Sequence, residues 1–125
     1  MPRNWVAFPP NRLPVVTLRL SEHRFTVLID TGALRSLIVP TIAGDFGFRI
    51  VGSDRVVGVN GRVSPVQLVE LDTVGFGEID LPPFRAGVLE LSHLRLGIQG
   101  VLGVNAFANR RLQIDFSEGR IYLLP

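Results

Sequence analysis

Apolar and polar residues alternate with a period of two along most of the chain, which predicts β-strands rather than amphipathic helices. The first clear alternation runs from Val15 to Leu20 and is followed by a polar turn, residues 21–24. A second apolar run, Phe25 to Ile29, leads directly to Asp30. These segments predict a β-hairpin whose second strand delivers a carboxylate to its end.

A second hairpin is predicted around Asn60-Gly61, which lies between the valine-containing segments 55–59 and 62–64. Asn-Gly between β-branched residues is typical of a two-residue hairpin turn, because both residues tolerate positive φ. Further strands are predicted at residues 66–71, 75–81, 84–91, 112–116 and 121–124. The apolar patch Leu37-Ile38-Val39 precedes a break at Pro40.

Helical patterning is limited to residues 106–111, while residues 41–48 are compatible with either a strand or one helical turn. Many short strands separated by Gly and Pro turns are typical of all-β proteins. The pattern therefore predicts a closed, mostly antiparallel β-barrel or sandwich.

The chain has 125 residues, of which 46% are hydrophobic, enough for one domain with a core but too few for two. We expect a Pro-rich, loosely held arm over residues 1–14 and one domain over residues 15–125. No apolar run approaches the ~18 residues of a membrane span. Prolines and arginines occupy the N-terminal region where a signal peptide has its apolar segment, so we expect a cytoplasmic protein.

Composition argues against several kinds of chemistry. There is no cysteine, and His23 and His93 lack the neighbours of a metal-ligand cluster, so we expect neither thiol chemistry nor a metal or other cofactor. All 13 basic residues are arginine, but they are scattered and nearly balanced by 11 acidic residues. The net charge of +2 gives no basic stripe for nucleic acid, and we expect no nucleic-acid partner.

The turn that follows Asp30 has the composition of a support for a carboxylate. An ionised carboxylate is costly to bury unless it is hydrogen-bonded. Thr31 offers a hydroxyl, Gly32 allows close backbone approach, and Ala33 is small. The alternative interpretation is an ordinary Asx turn at the end of a strand.

Three motifs in order resemble those of the retropepsin-like aspartic proteases. They are Asp30-Thr31-Gly32-Ala33, the glycine-rich hairpin around Asn60-Gly61, and Gly100-Val101-Leu102-Gly103 leading into a short helix and terminal strands. The segments 97–107 and 115–121 are similar to those of bacterial single-domain members. The resemblance covers residues 15–124 and implies a closed antiparallel β-barrel with one short C-terminal helix.

In that family each subunit contributes one Asp-Thr-Gly, and the substrate is a polypeptide bound between two subunits. The resemblance therefore implies a homodimeric aspartic endopeptidase in which Asp30 is catalytic, supported by Thr31 and Gly32. It also implies substrate contacts for Leu28, Ala33, Leu34, Leu37, Val101 and the hairpin tip Gly58, Val59, Asn60 and Gly61. Arg35 is close enough to the motif to reach a substrate or the partner subunit.

One departure from the family bears on the dimer. Viral members carry an acid after Asp-Thr-Gly-Ala and an arginine after the second motif, forming an ion pair that braces the interface. Leu34 and Val104 stand at these positions. The dimer is then either weak, or held by apolar contacts and by terminal strands such as 15–20 or 121–124.

Two other functions compete with the protease. One is a catalytically silent peptide-binding or dimerisation module with the same fold, which leaves an intact Asp-Thr-Gly-Ala unexplained. The other is the Asp-x-Gly-x-Thr phosphate loop of actin-like proteins and sugar kinases, which needs a hydroxyl where Leu34 stands.

Overall fold

The structure is a computed structural model that describes residues 1–58 and 60–125. It is built mainly of β-strands, with one short α-helix. The strands are β1 Trp5–Ala7, β2 Val15–Leu20, β3 His23–Ile29, β4 Ser36–Ile38, β5 Ile50–Val57, β6 Val63–Leu71, β7 Val74–Phe76, β8 Ile79–Asp80, β9 Phe84–Val88, β10 Gly100–Leu102, β11 Arg111–Asp115 and β12 Arg120–Leu124. The mostly-β prediction is confirmed, and the first hairpin lies where the alternation placed it.

Nine strands form one sheet in the order β5-β6-β9-β4-β10-β3-β2-β7-β8. Most pairs are antiparallel, but β10 runs parallel to β3 and β4 runs parallel to β9. No pairing joins β5 to β8 in the described part of the chain, so the sheet is open at both ends and the closed barrel is not confirmed. The two parallel pairs join strands that are distant in sequence, which the hairpin signals did not reveal.

The α-helix is α1, Pro40–Phe46, in the segment that was compatible with a strand or a helical turn. Pro40 occupies its first turn, where the missing N–H costs nothing, and Gly47 ends it with φ of 60°. The helix expected over residues 106–111 is instead the 3₁₀ helix Val104–Phe107, and β11 begins at Arg111 after a turn of three residues. The one short α-helix therefore lies in the first half of the chain and not near its C-terminus.

A second sheet has the order β1-β12-β11 and joins the two ends of the chain. Trp5 pairs with Tyr122 in β12, and the guanidinium groups of Arg3 and Arg120 lie 5.3 and 4.2 Å from the centroid of its ring. The N-terminal arm is thus held by strand pairing and cation–π contacts. The Pro-rich composition that indicates a loosely held arm does not reveal this pairing, because a strand of three residues is too short to show an alternation.

The core is aliphatic and aromatic, and it lies beneath the central strands of the large sheet. Its largest fully buried side chains include Phe25 of β3, Phe76 of β7 and Leu18 of β2. By contrast β5 lies at the edge of the sheet and has no fully buried residue. No helix among the described residues has the length and hydropathy of a membrane span.

Candidate active site

Asp30 lies in the loop between β3 and β4, where the alternation of β3 ends. Its backbone N–H donates to the carbonyl of Leu102 at 2.9 Å, and its carbonyl accepts from the N–H of Ala33 at 3.1 Å. The N–H of Gly32 donates to Asp30 Oδ1 at 3.0 Å. The backbone of its own loop therefore orients the carboxylate. The Gly32 N–H bond is that of an Asx turn, and it is also a support of the kind predicted from the sequence. Asp30 is half-buried in the single chain rather than fully buried.

Thr31 and Gly32 are exposed next to this carboxylate. A Cβ added to Gly32 would approach Asp30 Oδ1 to 3.2 Å, so a side chain there would crowd the hydrogen bond that orients Asp30. The three residues predicted to be catalytic thus lie on one short loop, and the carboxylate of Asp30 and the side chain of Thr31 are accessible to another molecule.

The second glycine motif packs against the Asp30 loop. The N–H of Val104 donates to the carbonyl of Ala33 at 2.8 Å. A Cβ on Gly103 would lie 2.5 Å from that carbonyl and 2.8 Å from the carbonyl of Arg35. Only glycine permits this approach, so the motif has a packing role next to Asp30.

Two polar residues that the sequence analysis did not identify hold these segments together. Ser36 is fully buried at the start of β4, and its hydroxyl accepts from the N–H of Gly103 at 3.0 Å. The same hydroxyl donates to Asn105 Oδ1 at 2.8 Å, and Asn105 Nδ2 donates to the carbonyl of Arg85. The sequence signal was a lone serine beginning an apolar strand, which is too common to single out.

Three of the predicted substrate-contact residues form a row across the sheet. Val101 of β10 is paired with Leu28 of β3 on one side and with Leu37 of β4 on the other. Leu28 lies on the less buried face of β3, because Phe25, Val27 and Ile29 on the other face are buried. Asp30 follows two positions later, in the loop at the end of this strand. Leu28 and Leu37 are half-buried, whereas Val101 is only 5% exposed.

The hairpin predicted around Asn60-Gly61 is formed by β5 and β6. In the loop between them the N–H of Gly58 donates to the carbonyl of Arg62 at 2.9 Å, and the N–H of Gly61 donates to the carbonyl of Gly58 at 2.9 Å. β5 ends at Val57 and β6 begins at Val63, so the strands end further from Asn60-Gly61 than a two-residue turn predicts, although Gly61 has the expected positive φ, 76°. Asn60 Oδ1 accepts from the N–H of Arg62 at 2.9 Å. Val59, also predicted at the tip, lies outside the described residues.

No hydrogen bond or ion pair joins the described residues of this loop to the Asp30 loop. The link between the two regions lies lower on the hairpin, where the Arg35 guanidinium pairs with the Asp54 carboxylate of β5. The pKa of Asp54 is lowered, first by the N–H of Arg55 that bonds its carboxylate and then by Arg35, against partial desolvation that raises it.

Three exposed aliphatic residues lie in the Asp30 loop or next to segments that are hydrogen-bonded to it or to the end of β3. Leu34 is 84% exposed and Val104 is 47% exposed. Leu13 is 58% exposed. The carbonyl of the next residue, Pro14, accepts a hydrogen bond at 3.0 Å from the N–H of Ile29, the residue that precedes Asp30. We call Leu13, Leu34 and Val104 the apolar patch.

A groove with a volume of about 270 Å³ adjoins the apolar patch, and its lining includes Thr31, Val104, Phe107 and Leu112. Its apolar lining and the exposed Thr31 make it a surface that a protein segment could occupy. No three His, Asp or Glu side chains are grouped as metal ligands in the described part of the chain.

The comparisons with known proteins agree with this geometry. A retropepsin-like aspartic protease from Rickettsia conorii has a similar structure, with a TM-score of 0.62 at 17% identity over 97% of this chain and 91% of that one. The retroviral protease-like domain of Ddi1 from Leishmania major is also similar, with a TM-score of 0.55 at 16% identity over 90% of this chain and 94% of that one.

At such low identity these two structures establish the likeness of fold alone. No curated protein sequence matches the chain significantly. The family model described as aspartyl protease matches residues 16–106, a span that includes the Asp30 loop, the hairpin and the second glycine motif. The chain therefore belongs to the aspartyl protease family.

Proposed function

We propose that the protein is an aspartic endopeptidase whose active species is a homodimer, with Asp30 of each copy forming the catalytic pair. The observation that carries the proposal is the Asp30 loop. Its carboxylate is oriented by the Gly32 N–H at 3.0 Å and stays half-exposed beside the exposed Thr31.

The chemistry requires two carboxyl groups. One ionised Asp30 accepts a proton from water, and the resulting hydroxide attacks the carbonyl carbon of the scissile peptide bond. The protonated Asp30 of the other copy then donates its proton to the leaving amide nitrogen, and the C–N bond breaks to give a carboxylic acid and an amine. Aspartic proteases are the established case of two carboxylates sharing one proton, because like charges ~3 Å apart resist double ionisation.

A single chain supplies only one Asp-Thr-Gly, so the second carboxylate has to come from another copy. In a two-fold dimer a residue near the axis meets its own copy, which makes one gene sufficient. The apolar patch near the Asp30 loop supports this arrangement, since a group of exposed aliphatic residues that includes Leu34, 84% exposed, is a surface that another protein chain can cover. Thr31 would then meet the partner's Asp30 loop beneath the pair of carboxylates.

The terminal strands named as alternative interface elements are already paired within the chain. β12 lies between β1 and β11, and β2 lies between β3 and β7. β12 is therefore covered on both sides, whereas β2 pairs with β7 only at Arg19 and Leu20, which leaves one edge of residues 15–18 without a strand partner in the described part of the chain. We assign the interface mainly to apolar contacts made by the apolar patch and its groove, and not to an added strand at β12.

The substrate would be a polypeptide held in extended form across the row Leu28, Val101 and Leu37. The two leucines are half-buried and would provide apolar contacts to the peptide. Val101 is only 5% exposed, so it would act mainly by packing between them. Ala33 and Leu34 would flank the scissile bond. The hairpin tip, including Gly58, Val59, Asn60 and Gly61, would close over the peptide and bond its backbone as an added strand does.

The decisive experiment measures cleavage of a diverse peptide library by the wild type and by Asp30→Asn at pH 4 to 7. Asparagine keeps the side-chain oxygen that accepts the Gly32 N–H, so the variant should fold with an unchanged circular dichroism spectrum. It cannot exchange the shared proton, and cleavage should fall to background.

Retained turnover in Asp30→Asn would eliminate the protease mechanism. A wild type that binds peptides without cleaving any, and that matches Asp30→Asn in affinity, would instead establish the silent binding module.

A further inference from the structure

The hairpin β5–β6 is weakly attached to the rest of the domain along its outer strand. β5 is the edge of the nine-stranded sheet and pairs only with β6. None of its residues is fully buried, so little apolar contact holds it down. An edge strand of this kind can move unless other bonds fix it.

Two ion pairs involve the hairpin. Arg49, the residue before β5, pairs with Glu70 of β6 at 3.3 Å, and this contact lies within the hairpin itself. Further along, Arg35 pairs with Asp54, and this contact crosses from the Asp30 loop to β5. It is the only side-chain hydrogen bond or ion pair between β5 and residues 30–36 in the part of the chain that the structure describes.

The Arg35–Asp54 pair is well placed to hold its geometry. Its side chains are 39% and 41% exposed, whereas in the other pair Arg49 is 78% and Glu70 is 37% exposed. The second oxygen of Asp54 accepts the N–H of Arg55 at 2.7 Å, which orients the carboxylate. The backbone of Arg35 in turn abuts Gly103, where a Cβ would clash with its carbonyl. Both partners are therefore anchored to backbone.

We propose that Arg35 and Asp54 are positioning residues that fix the hairpin β5–β6 relative to the Asp30 loop, and so set the cleft in which the peptide binds. This role rests on the proposed function, because a cleft between hairpin and loop matters only if a peptide lies there. Neither residue is assigned contact with the scissile bond.

Loss of the pair should release the hairpin into a broader set of positions, only a fraction of which bind substrate. The apparent affinity for substrate is then reduced in proportion to that fraction, whereas the rate of the chemical step in the bound state is unchanged. For a half-exposed pair we expect KM to rise about two- to fivefold with kcat nearly constant.

The test combines hydrogen exchange with kinetics on the full chain. Arg35→Ala and Asp54→Asn should each speed exchange of the β5 amides and raise KM. The double variant Arg35→Asp with Asp54→Arg swaps the two charges, so opposite charges again face each other. It should return the hydrogen exchange of the β5 amides and the KM at least part of the way to the wild-type values. Arg35→Lys should retain most of the wild-type KM as the conservative variant.

Arg49→Ala is the matched control, because it removes an ion pair from the same hairpin without touching the Asp30 loop. It should leave KM unchanged. Equal KM increases in Arg49→Ala and Arg35→Ala would overturn the proposal, since general loosening of the hairpin would then explain both.

Unchanged β5 exchange in Arg35→Ala and Asp54→Asn would also overturn it, whatever happens to the kinetics. Failure of the proposed function gives a different signature. If the wild type cleaves no peptide, the endopeptidase is excluded, while the exchange data still decide whether the pair holds the hairpin.

Discussion

The hydroxyl of Ser36 accepts a hydrogen bond from the backbone N–H of Gly103 at 3.0 Å, joining residues 67 positions apart in sequence. Both partners are buried, and the same hydroxyl donates to Asn105. The bond therefore ties the start of β4, just after the Asp30 loop, to the glycine motif that packs against that loop. It makes the two segments around Asp30 a single rigid support.

Ser36→Ala should consequently destabilise the fold. The substitution removes the acceptor of the Gly103 N–H and leaves that donor buried without a partner, at a cost of about 1–3 kcal/mol. Urea unfolding at pH 7 measures the change in the free energy of unfolding. Ser53→Ala, on exposed β5, is the control and should change it by less than about 0.5 kcal/mol. Equal effects of the two substitutions would contradict a structural role for the Ser36 hydroxyl.

Local signals in the sequence predicted the parts of the fold that are built from neighbouring residues. The hairpin of β2 and β3 follows from its alternation, and the positive φ of Gly61 follows from Asn-Gly. The Asp30 loop was predictable for the same reason, because its carboxylate, its orienting N–H and its exposed threonine are consecutive.

Long-range pairing was beyond the reach of those signals. β10 is buried at all three residues, so it shows no alternation, and nothing local indicates that it runs parallel to β3. The Arg35–Asp54 pair and the Ser36–Asn105 bond likewise join ordinary polar residues from separate segments. The helix α1 did carry a signal, Pro40 at its start and Gly47 at its end, but Pro40 was interpreted only as a break.

Gly61→Val is expected to impair cleavage more than folding. Residue 61 has φ of 76°, and a Cβ there would meet no atom within 4 Å, so the penalty comes from backbone conformation alone. Left-handed backbone costs an L-residue about 1–2 kcal/mol, and the loop can relieve it by changing shape. We expect kcat/KM to fall at least about fivefold while the melting temperature falls by no more than ~8 °C. Gly61→Asn, which tolerates positive φ, should stay close to the wild type in both measurements.

The turn between β11 and β12 should contribute to loss of stability in acid. The pKa of Asp115 is lowered, first by the N–H of Glu118 and then by the hydroxyl of Ser117 that bond its carboxylate. A carboxyl whose pKa is lower in the folded state stabilises the fold above its unfolded pKa, about 3.8, and this contribution is lost as the pH falls through the folded pKa.

Asp115→Ala should therefore unfold more easily than the wild type at pH 7, and the difference should shrink as the pH is lowered below about 4. Thermal unfolding from pH 7 to pH 2 measures it, and Ser117→Ala should give a smaller effect in the same direction. A difference that stays constant across this range would show that ionised Asp115 does not stabilise the turn.

The pH dependence of cleavage should report a coupled pair of carboxyl groups. Activity requires one proton between the two Asp30 side chains, so the rate should fall both when the pair is fully protonated and when it is fully ionised. We expect a bell-shaped profile of kcat/KM with an optimum at about pH 4 to 6, as for other pairs of this kind. A rate that rises steadily to pH 9 would indicate another mechanism.

The proposed dimer should depend on Leu34, which stands where viral members of the family carry an acid and belongs to the apolar patch. Leu34 is 84% exposed in the single chain, so Leu34→Glu should leave the monomer folded, yet it would bury a charge in the interface. We expect the dimer dissociation constant to rise at least about tenfold. Sedimentation over a dilution series measures it, and specific activity per chain should fall over the same concentrations.

Leu94→Glu is the matched control, since Leu94 is also exposed but lies in the 3₁₀ helix Ser92–Leu94, outside the apolar patch. It should leave dissociation unchanged. Combining Leu34→Asp with Val104→Arg places opposite charges on segments already joined by the Val104–Ala33 bond of 2.8 Å, and should recover dimerisation lost in Leu34→Asp alone. A dissociation constant insensitive to all these changes would remove the apolar patch from the interface, and activity that is flat on dilution would exclude a catalytic pair shared between two chains.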